Sequence, residues 1–247
     1  MAISDYSTAL VTGASSGIGQ ACVRQLRERG LRVLAAARRR QRLDDLAAET
    51  GCEPLPLDLT DTEAVYAALA GHEIDVLVNN AGLGRGHGGF FQSSATDIDD
   101  MIKLNVSAAF HVTRAVVEGM IARRRGHIVQ LGSIAGLYPI GFSVYGGTKG
   151  AVHLFSQHFR IELAGSGVRH TEICPGRVDT EFFDTAFTDD AEREAFRAGL
   201  ELLRPEDVAD AITFAIDAPA RVNVSTIELT PTEQAPGGVV IQRTGEA

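Results

Sequence analysis

Tryptophan is absent from the 247 residues, and cysteine and methionine occur three times each. Cys22, Cys52 and Cys174 form neither a CxxC pair nor an even framework. A disulfide-stapled secreted domain is thereby excluded and a reducing compartment expected. Basic residues are outnumbered 23 to 32, leaving a formal net charge of −9. That balance argues against nucleic acid as a partner, because a phosphate backbone attracts basic surfaces. The acidity reads as solubility. No apolar run approaches the roughly 20 residues that span a bilayer. Residues 1–8 lack a basic patch followed by an apolar stretch, so neither a membrane span nor a signal peptide is expected. A cytoplasmic location follows as the expectation. The seven histidines form no HExxH or other metal-ligand spacing, so no metal is expected. His111, His153 and His158 fall within helical stretches and read as surface or packed residues.

Hydrophobic residues make up 45% of the chain and charged residues 22%, a profile that buries a core. The length suits one α/β domain over residues 1–247. Strands are predicted at 8–12, 31–37, 74–79, 126–132, 168–174 and 224–229, with a short segment at 53–57. Helical patterns cover 17–29, 39–50, 61–69, 96–124, 143–164 and 205–217. Strands that are apolar throughout and separated by helices indicate a parallel sheet covered on both faces. The expectation is a single-domain doubly wound parallel sheet, a Rossmann fold, with ligands at the carboxyl ends of its strands. The stretch 180–198, polar and aromatic with no clear strand, reads as a substrate lid reaching to about residue 200.

The loop Thr12-Gly13-Ala14-Ser15-Ser16-Gly17-Ile18-Gly19 leaves the first strand and opens the first helix. Its glycines permit a tight turn and close approach of a pyrophosphate, and the helix N-terminus adds free N–H groups and a favourable dipole. The spacing is GxxxGxG, unlike the GxGxxG of the ordinary dinucleotide fingerprint.

That loop resembles the cofactor motif of the short-chain dehydrogenase/reductase superfamily, and the resemblance extends over nearly the whole chain. Asn79-Asn80-Ala81-Gly82 resembles the motif that braces the fourth strand of that family beside the cofactor. Asp58, with Leu59 beside it, matches the acid that contacts the adenine edge. Asn105, Ser133, Tyr145 and Lys149 match the catalytic residues, the last two in a YxxxK pair. Pro175-Gly176-Arg177-Val178-Asp179-Thr180 resembles the segment whose Val178 backbone and Thr180 hydroxyl would grip the carboxamide. The resemblance implies a nicotinamide-dependent oxidoreductase, assembled as a homotetramer or homodimer through the helices 96–124 and 143–164.

The second strand ends in Ala35-Ala36-Ala37 and runs into Arg38-Arg39-Arg40. No acid stands there to bond a ribose 2′-hydroxyl, and arginine offers a planar fork matched to a 2′-phosphate. Arg38 and Arg39 are therefore assigned to NADP(H), while Arg40 and the run Arg123-Arg124-Arg125 read as solvated.

Hydride transfer to a carbonyl leaves an alkoxide that needs a proton. A phenol with a pKa of about 10 is a poor base near neutrality. Lys149 lies one helical turn from Tyr145, and a nearby ammonium favours the phenolate. Lowering that pKa by two to three units corresponds to roughly 3–4 kcal/mol. By the resemblance, Lys149 also holds the nicotinamide ribose, Ser133 polarises the substrate oxygen, and Asn105 anchors a water that relays protons to Lys149.

Substrate contacts are expected from loops 82–91, 134–142 and 177–187, with Arg85, His87, Tyr138, Arg177, Phe182 and Phe183 as candidates. Within the superfamily, the segment 223–238 is similar to that of the NADP-dependent 3-hydroxy acid and serine dehydrogenases. The expected substrate is a small polar 3-hydroxy acid, a β-hydroxy amino acid or a related aldehyde, with Arg85 or Arg177 receiving its carboxylate. Reduction of sulfoacetaldehyde-like or clavulanic-aldehyde-like substrates, or of bulky ketones, stays open. A non-catalytic NADP sensor is disfavoured by the retained Tyr–Lys pair.

Overall fold

The computed structural model of the protein describes residues 3–85, 89–186, 189–197 and 201–235. Seven strands form one sheet: β1 (Thr8–Thr12), β2 (Arg32–Ala37), β3 (Glu53–Pro56), β4 (Val76–Asn79), β5 (Gly126–Leu131), β6 (Val168–Pro175) and β7 (Thr226–Leu229). Their order is β3-β2-β1-β4-β5-β6-β7, and every pairing is parallel. The doubly wound expectation is met. Pro54 and Pro56 sit on β3, an edge strand, where a missing ladder donor costs least.

The central strands β1, β4 and β5 are buried at every position because both faces are covered. Ala9, Val11, Val33, Ala35, Val76 and Val78 point into one core with α1 (Gly17–Glu28), α2 (Arg40–Thr50) and, further along the chain, the helix Pro205–Asp217. Leu10, Leu34, Ala36 and Leu77 point the other way, against α3 (Thr62–Leu69) and a helix at Ala109–Ala122. Alternation along each strand thus builds two layers from one apolar run.

The helix expected over 96–124 is three pieces: α4 (Ala95–Ile102), a π-helical turn at Lys103–Ala108 and α5 (Ala109–Ala122). Periodicity cannot reveal a π turn, which shifts hydrogen bonding by one residue inside an unbroken helix. A short helix, α6 (Ile134–Leu137), follows β5, and α7 (Ser143–Glu162) carries the YxxxK pair. The stretch read as a strandless lid holds α8 (Phe182–Ala186) and α9 (Asp190–Arg197), and α10 (Pro205–Asp217) closes the first face.

At Arg123 and Arg125 the expectation of solvation is corrected, while Arg124 is exposed as expected. Arg125 Nη2 reaches the buried Asp75 carboxylate at 3.0 Å, and Arg123 Nη2 donates to Ile74 O at 2.8 Å. Asp75 also accepts from Ser7 N at 2.9 Å, so this cluster ties the starts of β1, β4 and β5 together. Cys22, Cys52 and Cys174 are all free and buried. Among the described residues no helix is long and apolar enough to cross a membrane.

Candidate active site

The strand order reverses between β1 and β4, and a crevice must open at the carboxyl ends of strands flanking such a point. A cleft of about 840 Å³ lies there. Gly13 turns the chain out of β1 with φ +66°, and a Cβ on it would fall 2.8 Å from Asn80 Nδ2. At Gly19 a Cβ would meet Gly13 O at 2.3 Å. Asn80 Nδ2 donates to Thr12 O at 2.9 Å, while Thr12 Oγ1 accepts from the N–H groups of Asn80 and Ala81, each at 3.0 Å. The two glycine contacts and this clamp hold the phosphate loop against the end of β4.

Ser16 is the N-cap of α1, yet its hydroxyl makes no cap and accepts from Arg39 Nη2 at 2.7 Å instead. First-turn N–H groups of α1 are thereby left uncapped beside Gly17 and Ile18, which line the cleft. An open helix N-terminus beside a loop where side chains cannot fit suits a pyrophosphate.

Arg38, Arg39, Asp58 and Leu59 line the cleft where β2 ends. Asp58 Oδ1 accepts from Thr60 N at 2.9 Å and Thr60 Oγ1 at 2.8 Å, and these bonds, with Arg38 nearby, hold its carboxyl below the usual range. Arg39 Nε donates to Ser15 Oγ at 3.0 Å, and its Nη1 meets Glu181 Oε2 at 2.7 Å. Arg40 is solvent-facing, as expected.

Ser133, Tyr145 and Lys149 line the opposite end. Ser133 lies just beyond β5 and caps α6 through Ala135 N at 3.1 Å, and its hydroxyl is the hydrogen-bond partner of Tyr145. Lys149 Nζ donates to Leu131 O at 2.8 Å and stands 5.9 Å from the Tyr145 ring centre. Burial pushes the Tyr145 hydroxyl up to about 12, against the pull of the Ser133 bond. Burial likewise brings Lys149 down to about 8, opposed by Cys174 and Glu172. The expected lowering of the Tyr145 pKa is therefore not a property of the protein by itself, because desolvation outweighs the local bonds.

Asn105 sits on the π turn and is buried. Its Oδ1 accepts from Leu83 N at 2.8 Å, and Nδ2 donates to Leu83 O at 2.9 Å and Thr148 Oγ1 at 3.1 Å. A Cβ on Gly82 would lie 3.3 Å from Asn105 Oδ1 and 3.7 Å from Lys149 Nζ, so a glycine there keeps the two groups close.

Ala81, Pro175, Gly176, Val178 and Thr180 also line the cleft, as do Arg85, Arg177, Phe182 and Phe183. Gly19, Asn79, Asn105 and Tyr138 do not. Gly19 packs the turn. Asn79 braces the floor instead, with Nδ2 donating to Ala109 O at 2.8 Å. Tyr138 is not among the lining residues, and its hydroxyl donates to Glu228 Oε2 at 3.0 Å. Arg85 faces Asp97 and Asp100 at 3.5 and 3.4 Å, so its charge is offset by two carboxylates. His87 lies outside the described residues. Glu181 and Gln234 are among the lining residues that were not singled out from sequence. Glu181 bridges to Arg39, and buried Gln234 accepts Arg177 N at 3.0 Å. Neither belongs to a spaced motif, and each partner lies far along the chain.

The family model described as short chain dehydrogenase matches residues 7–191. An uncharacterised short-chain type dehydrogenase/reductase of Sinorhizobium fredii is 44% identical over 96% of each chain. The NADP-dependent 3-hydroxy acid dehydrogenase of Escherichia coli is 39% identical over 95% of this chain and 98% of its own. Among solved structures, a closed form of serine dehydrogenase complexed with NADP+ has a TM-score of 0.90 at 38% identity, covering 96% of this chain and 100% of that one. The chain belongs to the short-chain dehydrogenase/reductase family and is an oxidoreductase.

Proposed function

We propose that this protein moves a hydride between NADP(H) and a small polar 3-hydroxy acid, β-hydroxy amino acid or related aldehyde. The observation that carries the substrate class is Arg177. It is half-buried on the cleft wall beside Gly176, and its backbone is pinned by Gln234. A guanidinium drawn partly out of water binds a carboxylate more strongly than an exposed one. The names of the 3-hydroxy acid and serine dehydrogenase relatives support the same class. Arg85, which faces two carboxylates, is the second candidate.

The fit of a dinucleotide rests on the glycine turn, the uncapped α1 terminus and the arginines that end β2. Gly13, Ser15, Ser16, Gly17 and Ile18 take the pyrophosphate, while Arg38 and Arg39 face the 2′-phosphate. Asp58 and Leu59 take the adenine side. Ala81, Gly82, Pro175, Gly176, Val178 and Thr180 border the nicotinamide end. Bound NADP(H) supplies or accepts the hydride. Ser133 holds and polarises the substrate oxygen. Tyr145 gives that oxygen a proton in reduction and removes it in oxidation. The Lys149 ammonium favours the phenolate, and Asn105 fixes Leu83 and Thr148 around it. Phe182 and Phe183 cover the pocket from the segment after Thr180, with the Phe182 ring centre 5.3 Å from that of Tyr145. Exposed Leu154 and Ile161 on α7 and Ile121 on α5 support assembly into a homotetramer or homodimer through these helices.

Steady-state kinetics of an Arg177→Gln variant test the substrate class. The expected result is a KM for 3-hydroxy acids raised about tenfold or more, consistent with loss of a charged hydrogen bond, while a neutral alcohol is unaffected. An unchanged KM for every acidic substrate rejects the carboxylate assignment.

A further inference from the structure

Glu181 is a charged residue of the cleft that no function above uses. It follows Thr180 at the base of the segment that bears Phe182, yet it reaches across to the end of β2. One carboxylate oxygen takes Arg39 Nη1 at 2.7 Å and the other takes Arg42 Nη1. The other two nitrogens of the Arg39 fork donate to Ser15 Oγ at 3.0 Å and Ser16 Oγ at 2.7 Å. An anion therefore already occupies one arm of the guanidinium assigned to the 2′-phosphate. Thr180 closes on the phosphate loop from the same side: a Cβ on Gly17 would fall 2.9 Å from Thr180 Cγ2.

We infer that Glu181 is an internal competitor for the 2′-phosphate, a specificity-determining residue that limits the preference for NADP(H) over NAD(H). This rests on the assignment of Arg39 to that phosphate. A dianionic phosphate arriving at Arg39 meets either a carboxylate that must leave or one that repels it at close range. NAD(H) brings a 2′-hydroxyl to the same place and leaves the Glu181 pairs intact. The two arginines hold the Glu181 carboxyl below the usual range, so the competing charge is present at neutral pH. The contact also ties the two ends of the cleft. Glu181 is adjacent in sequence to Phe182, whose ring packs 5.3 Å from Tyr145 and against Gly84.

Equilibrium binding of NADPH and NADH, followed by calorimetry, decides this with the full-length protein and its Glu181→Gln and Arg39→Gln variants. Glu181→Gln keeps the side-chain shape and removes the charge. Its NADPH Kd is expected to fall about two- to fivefold, the upper part of the range for one screened charge at a part-exposed site, with NADH unchanged. Arg39→Gln is expected to weaken NADPH and spare NADH. If Arg39→Gln weakens NADPH but Glu181→Gln leaves it unchanged or weaker, the competitor role is wrong and the arginine assignment stands. Should Glu181→Gln shift both cofactors by the same factor, the residue acts as a general clasp and the inference is likewise overturned. Wild-type NADPH affinity in Arg39→Gln overturns both. Both side chains are 44% exposed, and Glu181→Ala serves as a second charge-removing variant with the same expected signs.

Discussion

Replacing Lys149 with methionine keeps the buried stem and removes the charge, so it isolates what the ammonium does for Tyr145. The Tyr145 hydroxyl begins at about 12, because burial disfavours the phenolate. Bringing it to neutrality takes four to five units, or about 6 kcal/mol. Lys149 Nζ stands 5.9 Å from the ring centre. A unit charge at that distance, with an effective dielectric of about 20, contributes about 3 kcal/mol, or roughly two units. Lys149 then supplies about half of the shift, and the positive charge of the bound oxidised cofactor supplies the rest. The assay is kcat/KM for alcohol oxidation across about pH 6 to 11 at saturating NADP+, whose rising limb reports ionisation in the enzyme–cofactor complex. In Lys149→Met the limb should move up by about two units, with activity near pH 7 reduced about 100-fold and largely regained at high pH. A loss of equal size at every pH, with the limb in place, would refute the electrostatic argument and leave Lys149 as a positioning group only.

Two further outcomes concern stability. Gly19→Ala puts a methyl group 2.3 Å from Gly13 O, and main chain cannot yield as a flexible side chain does. It should cost about 1–3 kcal/mol, lower the Tm by several degrees and weaken NADPH binding; an unchanged Tm would show that the turn relaxes freely. Burial holds His170 down at about 3 against 6.5 for an unperturbed imidazole, and both ring nitrogens lack partners among the described residues. Its contribution is present above pH 6.5 and is lost as pH falls toward 3, amounting to about 2 kcal/mol at pH 5. His170→Phe should therefore shrink the stability difference between pH 7 and pH 5 by that amount in urea unfolding, and an unaltered difference would count against the buried neutral imidazole.

The fold was legible because its determinants are local and periodic. Runs apolar at every position require a sheet covered on both faces, and glycines spaced after the first strand require a turn that no side chain can enter. Tyr145 and Lys149 share a helix face by spacing alone. The π turn under Asn105 escaped because it changes hydrogen bonding and leaves the apolar pattern intact. Arg125 misled because its partner, Asp75, lies some fifty residues earlier and is brought to it only by strand pairing.

The site divides in the same way. Sequence by itself determined which residues stand at the ends of β1, β2, β4, β5 and β6, since a parallel sheet places those ends together. Tertiary structure alone decided where their side chains turn. Tyr138 goes to Glu228 and Arg85 to two aspartates, while Glu181 goes to Arg39 across 142 positions of chain. It also decided that Tyr145 is desolvated to the point where burial overrides its neighbours. Periodicity fixes a face, but direction, pairing and dielectric depend on groups that meet only when the layers close.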